Sequence, residues 1–351
     1  MTPIDLFVPG RLCLFGEHSD WAGMYRTINS SIEKGLAIVT GIEQGIYATA
    51  ERSDKFIMCG QGNIISSEQF ECEMDTEQLI RTAQKGGYFS YVAGVASYMK
   101  DHYSVGGVKV TITKRDIPIK SGLSSSAAIC VLVARAFNQL YDLKISIEDE
   151  MRAAFRGEHR TPSRCGRLDQ ACAFGKRPVL MEFDGEDIFP RELQIGGTFY
   201  LVVANLMSSK NTIKILGDLN RSFPFASNDI DRRLHEALGT DNRRIVLKAV
   251  RSIESGDAIG LGRLMIEAEK NFDEKIMPAC DELKAPILHS VLNDPAIKEW
   301  SYGAKGVGSH GDGMVQLLAK SKKDSDLLQT YLKDIRNMPS LSLTIKPTSV
   351  I

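Results

Sequence analysis

No apolar run in these 351 residues is long enough to cross a bilayer. The opening decapeptide, MTPIDLFVPG, lacks the charged-then-apolar pattern of a secretory leader, so a cytoplasmic location is expected. The seven cysteines are odd in number, scattered and without a C-x-x-C pair, which argues against a disulfide framework or a zinc site. Cys13, Cys130 and Cys172 stand in apolar contexts, where a thiol behaves as a small hydrophobe. An excess of charge is missing too. With 43 basic and 44 acidic residues the net charge is −1, so no global field draws nucleic acid or an acidic membrane. There is no repeat, no low-complexity tract and no GxxxxGK[ST] loop.

What is present reads as an ordinary globular chain, 43% apolar and 25% charged, long enough for two cores. Up to about Leu193 strand-like and helical runs alternate. YATAERS reads as a strand and YFSYVAGVASYM as a helix, and the turn cluster FDGEDIFPRELQIGG precedes a buried strand, FYLVVANL. From Asp231 to His289 the pattern is helical, broken at ESGD and at Pro278 and Pro286. Two strands, GMVQLLA and SLSLTI, follow with a helix between them. The expectation is two α+β domains, 1–195 and 196–351.

The segment IPIKSGLSSSAAICVL, from Ile117 to Leu132, raises a sharper question. Val108, Val110 and Ile112 alternate ahead of it as in a half-buried strand, and Ile129, Val133, Ala136 and Leu140 recur behind it at helical spacing. Between them stand a glycine and three consecutive serines. One serine would cap a helix. Three small residues also let a phosphate approach the unpaired N–H groups and positive dipole end of the first helical turn. Two further glycine-bearing islands flank this one: PGRLCLFGEHSDWAGM near the N-terminus and GAKGVGSHGDGMVQLL near the C-terminus. The last places Gly303, Gly306, Gly308, Gly311 and Gly313 within eleven positions, a density that suggests backbone approaching something closely.

The three islands together resemble the three motifs of the GHMP kinases, and within that family the galactokinase-like sugar kinases. PGRLCLFGEHSDW is similar to the galactokinase pattern PGRxNLxGEHxDY, PSRCGRLDQACAFG to CGxMDQ, and YFSYVAGV to WxNYVKGV. The resemblance implies an α+β GHMP kinase fold: a domain like ribosomal protein S5 domain 2, then a ferredoxin-like domain, with the active site in the cleft between them. It implies ATP as co-substrate, cradled by Lys120, Ser121, Gly122, Leu123, Ser124, Ser125, Ser126 and Ala127. Mg²⁺ would be held by Ser126 and Glu158, a hard ion on oxygen ligands. Asp169 matches the catalytic aspartate, which accepts or orients the acceptor proton. Arg11 matches a residue that holds Asp169 ionised and stabilises the transferring phosphoryl group. Glu17, His18, Asp20 and Gly166 match sugar contacts. The implied partners are ATP and a monosaccharide phosphorylated at the anomeric hydroxyl, with neither nucleic acid nor membrane, in a monomer or homodimer.

The chain departs from the galactokinase pattern at Leu219, where a tyrosine is usual, and at His310 and Asp312 in the third motif. The run HRTPSR is unusual as well, and Arg164 or Arg167 could face an anionic group such as a uronic acid carboxylate. Tyr88 and Phe89 fit either core or adenine contacts, and Lys305 either phosphate or solvent. Two rival readings are a mevalonate-type kinase, against which Arg11 and Asp20 count, and a non-catalytic sugar and ATP sensor, against which the complete set Arg11, Ser126, Glu158 and Asp169 counts.

Overall fold

The computed structural model describes residues 2–60, 69–117, 123–163 and 165–348. Two compact units divide the chain: residues 1–11 with 40–177, and residues 12–39 with 178–351. The sequence placed one boundary near 195. The division instead falls at 177/178 and twice within the first forty residues, because the strands Ile4–Phe15 and Gly35–Ser53 each contribute to both units.

In the first unit the strands are ordered Phe70–Glu73, Lys55–Gly60, Gly107–Arg115 and Gly35–Ser53. Lys55–Gly60 runs parallel to Gly107–Arg115, and the other two pairings are antiparallel. Val108, Val110 and Ile112 are fully buried, as their alternation predicts. Four helices follow from local signals. Asp75 and Ser146 accept backbone N–H bonds at the starts of Thr76–Gln84 and Ile147–Glu158. Tyr88–His102 contains the expected YFSYVAGVASYM, and Ser125–Leu140 starts within the serine run. Ser125–Leu140 is apolar nearly all round and buried accordingly, against Tyr88–His102 and Ile147–Glu158. Tyr88–His102 and Ile147–Glu158 cross at two glycines: a Cβ on Gly94 would lie 2.2 Å from the Gly157 carbonyl oxygen. That crossing fixes the position of the next residue, Glu158.

In the second unit Val179–Asp184 and Asp187–Glu192 form an antiparallel hairpin turned at Gly185, φ 56°. The expected turn cluster is therefore mostly strand. The two-residue turn is Gly185–Glu186, between the paired Asp184 and Asp187, and Pro190 is tolerated because Asp187–Glu192 pairs on one side only. A second, wholly antiparallel sheet is ordered Ser340–Ile345, Phe199–Asn205, Met314–Ala319 and Ser301–Gly306. Three of these strands are those expected. The fourth arises from the third glycine island. Its Gly303 approaches a helix, Ala258–Asn271: a Cβ there would lie 2.0 Å from the Gly262 carbonyl oxygen. The break at ESGD is real, since Asn242–Ser255 ends at Gly256 in the left-handed region and Asp257 caps Ala258–Asn271. Pro286 opens the helix Pro286–Leu292. Among the described residues no helix is long and apolar enough to cross a membrane.

Candidate active site

Arg11 and Asp169 meet within the first unit. Nε and Nη2 of Arg11 donate to Asp169 Oδ1 at 2.9 and 2.5 Å, with side chains 8% and 18% exposed. The Arg11 backbone N–H donates to the Leu123 carbonyl at 3.0 Å, tying its strand to the start of the serine segment. Asp169 opens the 3₁₀ turn Asp169–Phe174, anchored by buried Ala171, Cys172, Ala173 and Phe174.

Glu158, at the end of Ile147–Glu158, is fully buried. It accepts a hydrogen bond from Gln170 Nε2 at 3.0 Å, and the Ser126 hydroxyl and Cys165 thiol bond to it as well. Burial, and then the negative charge of Asp169, push its carboxyl up to about 7. Ser126 lies in the first turn of Ser125–Leu140, so a hydroxyl at the positive end of a helix faces a buried acid. Leu123 and Ala127 are buried, and Ser125 is half-buried. Ser124 is left-handed at φ 55°, and its buried hydroxyl has no hydrogen-bond partner among the described residues. Gly166 lies half-buried on the segment leading to Asp169. Lys120, Ser121, Gly122 and Arg164 lie outside the described residues, while Arg167 is 3% exposed. Phe89 stacks on Phe70 with ring centroids 5.0 Å apart, and burial raises the Tyr88 phenol above its usual range.

In the second unit Glu17, His18 and Asp20 are all buried. Lys305 does not face solvent: it is 1% exposed, with Nζ ion-paired to Glu17 and donating to the Gly306 carbonyl at 2.8 Å. Trp21 Nε1 donates to His18 Nδ1 at 3.0 Å, which leaves the proton of a neutral ring on Nε2, beside the Ser309 backbone. Burial, with the charges of Lys210 and Lys305, lowers His18 to about 4. Asp20 sits in the short helix Ser19–Met24.

The three departures have structural roles. Leu219 is fully buried in a cluster with Ile215, Phe223 and Leu234. Asp312 Oδ1 accepts the Leu288 N–H at 2.8 Å, capping Pro286–Leu292. His310 is buried and stacked on Phe272, centroids 3.6 Å apart. Among the described residues each glycine-bearing island thus contains one non-glycine residue held left-handed: His18 at φ 68°, Ser124 at 55° and His310 at 58°. Such backbone strain gathers where geometry is over-determined. Sequence reasoning did not reach Gln170, Trp21 or Lys210, although Trp21 stands three positions after His18 and Gln170 beside Asp169. Chemically, the first unit offers a carboxylate paired to a fixed cation next to a second acid, and the second unit offers neutral imidazole and carboxylate groups.

Residues 90–176 match the family described as GHMP kinases N terminal domain. A galactokinase of Pyrococcus furiosus is 27% identical, over 95% of this chain and 94% of that one. Among solved structures, the fold is like that of Lactococcus lactis galactokinase complexed with galactose, TM-score 0.75 at 18% identity, covering 99% of this chain and 94% of that one. It is also like L. major mevalonate kinase in complex with R-mevalonate, TM-score 0.70 at 21% identity, over 99% and 98% of the two chains. Residues 90–176 thus match a GHMP kinases N terminal domain, and along nearly its full length the chain is similar to galactokinases in sequence and fold.

Proposed function

We propose that this chain is an ATP-dependent sugar kinase that transfers the γ-phosphoryl group to a monosaccharide hydroxyl, the anomeric one. The observation that carries the reading is the Arg11–Asp169 pair, with Glu158 and Ser126 gathered in the same unit at the start of Ser125–Leu140. Relatives that are galactokinases favour a sugar as acceptor.

On this reading Asp169 takes or orients the proton of the acceptor hydroxyl as the sugar oxygen attacks phosphorus. Arg11 holds that carboxylate in place and offers fixed positive charge to the phosphoryl group in flight. Backbone N–H groups at the start of Ser125–Leu140 hold the nucleotide phosphates, as small side chains there permit. Glu158 is a buried acid lifted to about 7 beside a second carboxylate, a surrounding that a hard cation relieves. Ser126 and Glu158 would therefore hold Mg²⁺, which supplies charge neutralisation for the phosphates. Glu17, His18, Asp20 and Gly166 take the role of sugar contacts. A neutral His18 can donate from Nε2 to a sugar oxygen, which an imidazolium buried at this site could do only at the cost of its lost hydration.

The test is a panel of neutral monosaccharides, uronic acids and mevalonate assayed for ATP consumption, with the product phosphate located by phosphorus NMR. A phosphate at the anomeric carbon of a sugar is the expected product. Turnover with mevalonate alone, or none with any sugar, would overturn the proposal.

A further inference from the structure

The helix Ala258–Asn271 and the turn after it set Glu269 and Asp273 four residues apart, while His289 comes from Pro286–Leu292. One ligand atom from each of the three lies within 4.8 Å of the other two. None of them has a part in the proposed reaction. We propose that Glu269, Asp273 and His289 form a second cation site, for a divalent transition metal of the zinc or manganese kind.

Three features carry this. His289 Nδ1 sits 2.7 Å from the Ala285 carbonyl, which can only accept, so Nδ1 bears a proton. That bond turns Nε2 toward the acids, 3.0 Å from Asp273 Oδ2, in the way a backbone carbonyl orients a metal-bound imidazole. Glu269 is 5% exposed. Its Oε2 accepts the Gly306 N–H at 2.7 Å, but its buried Oε1 has no hydrogen-bond partner among the described residues. Asp273 adds a second carboxylate within reach of that imidazole.

An independent residue points the same way. His310 is 2% exposed, and its Nδ1, also without a hydrogen bond among the described residues, is aimed at Glu269 Oε2 from 3.8 Å. Among the described residues a second buried polar atom short of a partner thus points at this acid, itself short of one. One nitrogen and two oxygens select a borderline metal over Mg²⁺ or Ca²⁺, which prefer all-oxygen shells. A bound ion would fasten Ala258–Asn271 to Pro286–Leu292 and, through Glu269, steady the end of the strand Ser301–Gly306.

The experiment uses the full chain, chelator-treated and free of nucleotide, titrated with Zn²⁺ by calorimetry and with Co²⁺ by visible absorption. One Zn²⁺ per chain is expected, bound at least about 100-fold more weakly by Asp273→Asn and by His289→Ala, as loss of a direct ligand demands. Glu158→Gln, which alters the proposed Mg²⁺ position, should leave zinc affinity unchanged. Zinc should raise the melting temperature of the wild type and not that of Asp273→Asn, a near-isosteric change whose fold circular dichroism can verify. His289→Gln replaces the alanine variant if the latter fails to fold. No zinc bound by the wild type, or equal affinity in wild type and Asp273→Asn, overturns the site.

Discussion

Both nitrogens that Arg11 offers to Asp169 land on the same oxygen, Oδ1. The pair therefore engages one edge of the carboxylate and not its full fork, and Oδ2 takes no share of it. An aspartate held in this way is fixed in position yet keeps an oxygen for a second task.

That arrangement predicts separable effects. Asp169→Asn should lower kcat by about 10²–10⁴-fold if the carboxylate is a proton acceptor. Arg11→Lys keeps the charge but loses the planar fork, so its loss should fall mainly on kcat, with smaller change in KM for ATP. Steady-state kinetics on the identified sugar checks both. Wild-type turnover in the asparagine variant would remove Asp169 from the chemistry.

Glu158 gives a pH dependence. Its carboxyl is lifted in the folded protein to about 7 from an ordinary 4.5. Below 4.5 the acid is protonated in both folded and unfolded chains. Between 4.5 and 7 the unfolded chain ionises first, so stability is lost as pH rises, by on the order of 3 kcal/mol from this group. Glu158→Gln imitates the protonated acid. In nucleotide-free protein it should melt higher than wild type at pH 8, with the difference fading by pH 4.5. Glu269, also raised to about 7 by burial, keeps a parallel slope in both proteins. A gap between the two melting curves that does not change with pH would contradict the assignment.

The strand Gly107–Arg115 and the helix Ser125–Leu140 were legible because the first alternates with a period of two and the second is a long apolar run opened by small polar residues. Asp169 with Arg11, and Glu158 with Ser126, were legible as motif positions, and the structure brings each pair together. Lys305 was not. Its partner Glu17 lies 288 positions away, and a lysine between glycines carries no local sign that it will be buried. The hairpin at Gly185 was hidden for a different reason: acidic residues and Pro190 outweighed a period-two signal that only an edge strand would tolerate. Glycine in the third island was read as backbone approaching something closely, and at Gly303 that something is the helix Ala258–Asn271.

The Lys305–Glu17 pair sets a stability test. Both side chains are buried, at 1% and 6% exposure, so each charge relies on the other and on its hydrogen bonds. Lys305→Met should cost about 3–5 kcal/mol by leaving a buried carboxylate without its cation. Adding Glu17→Gln to that variant should restore part of the loss, because the stranded charge is gone. Urea denaturation measures all three proteins. A double variant no more stable than Lys305→Met would mean that lost contacts, not charge, dominate.

Glycine-to-alanine changes in two helices should move stability in opposite directions. At Gly157 a Cβ would fall 2.5 Å from Val95 Cα, backbone that cannot move without parting the helices. Gly157→Ala is therefore expected to destabilise by about 1–3 kcal/mol. It should also lower activity beyond that effect, because Glu158 is the next residue. At Gly217, within Thr212–Asn220, nothing lies within 4 Å of the added carbon. There alanine removes backbone freedom from the unfolded chain and should stabilise by about 0.5–1 kcal/mol, with unchanged kinetics. Denaturant midpoints and kcat for the two variants, read side by side, decide it. Should Gly157→Ala melt like wild type with full activity, the glycine crossing does not position Glu158.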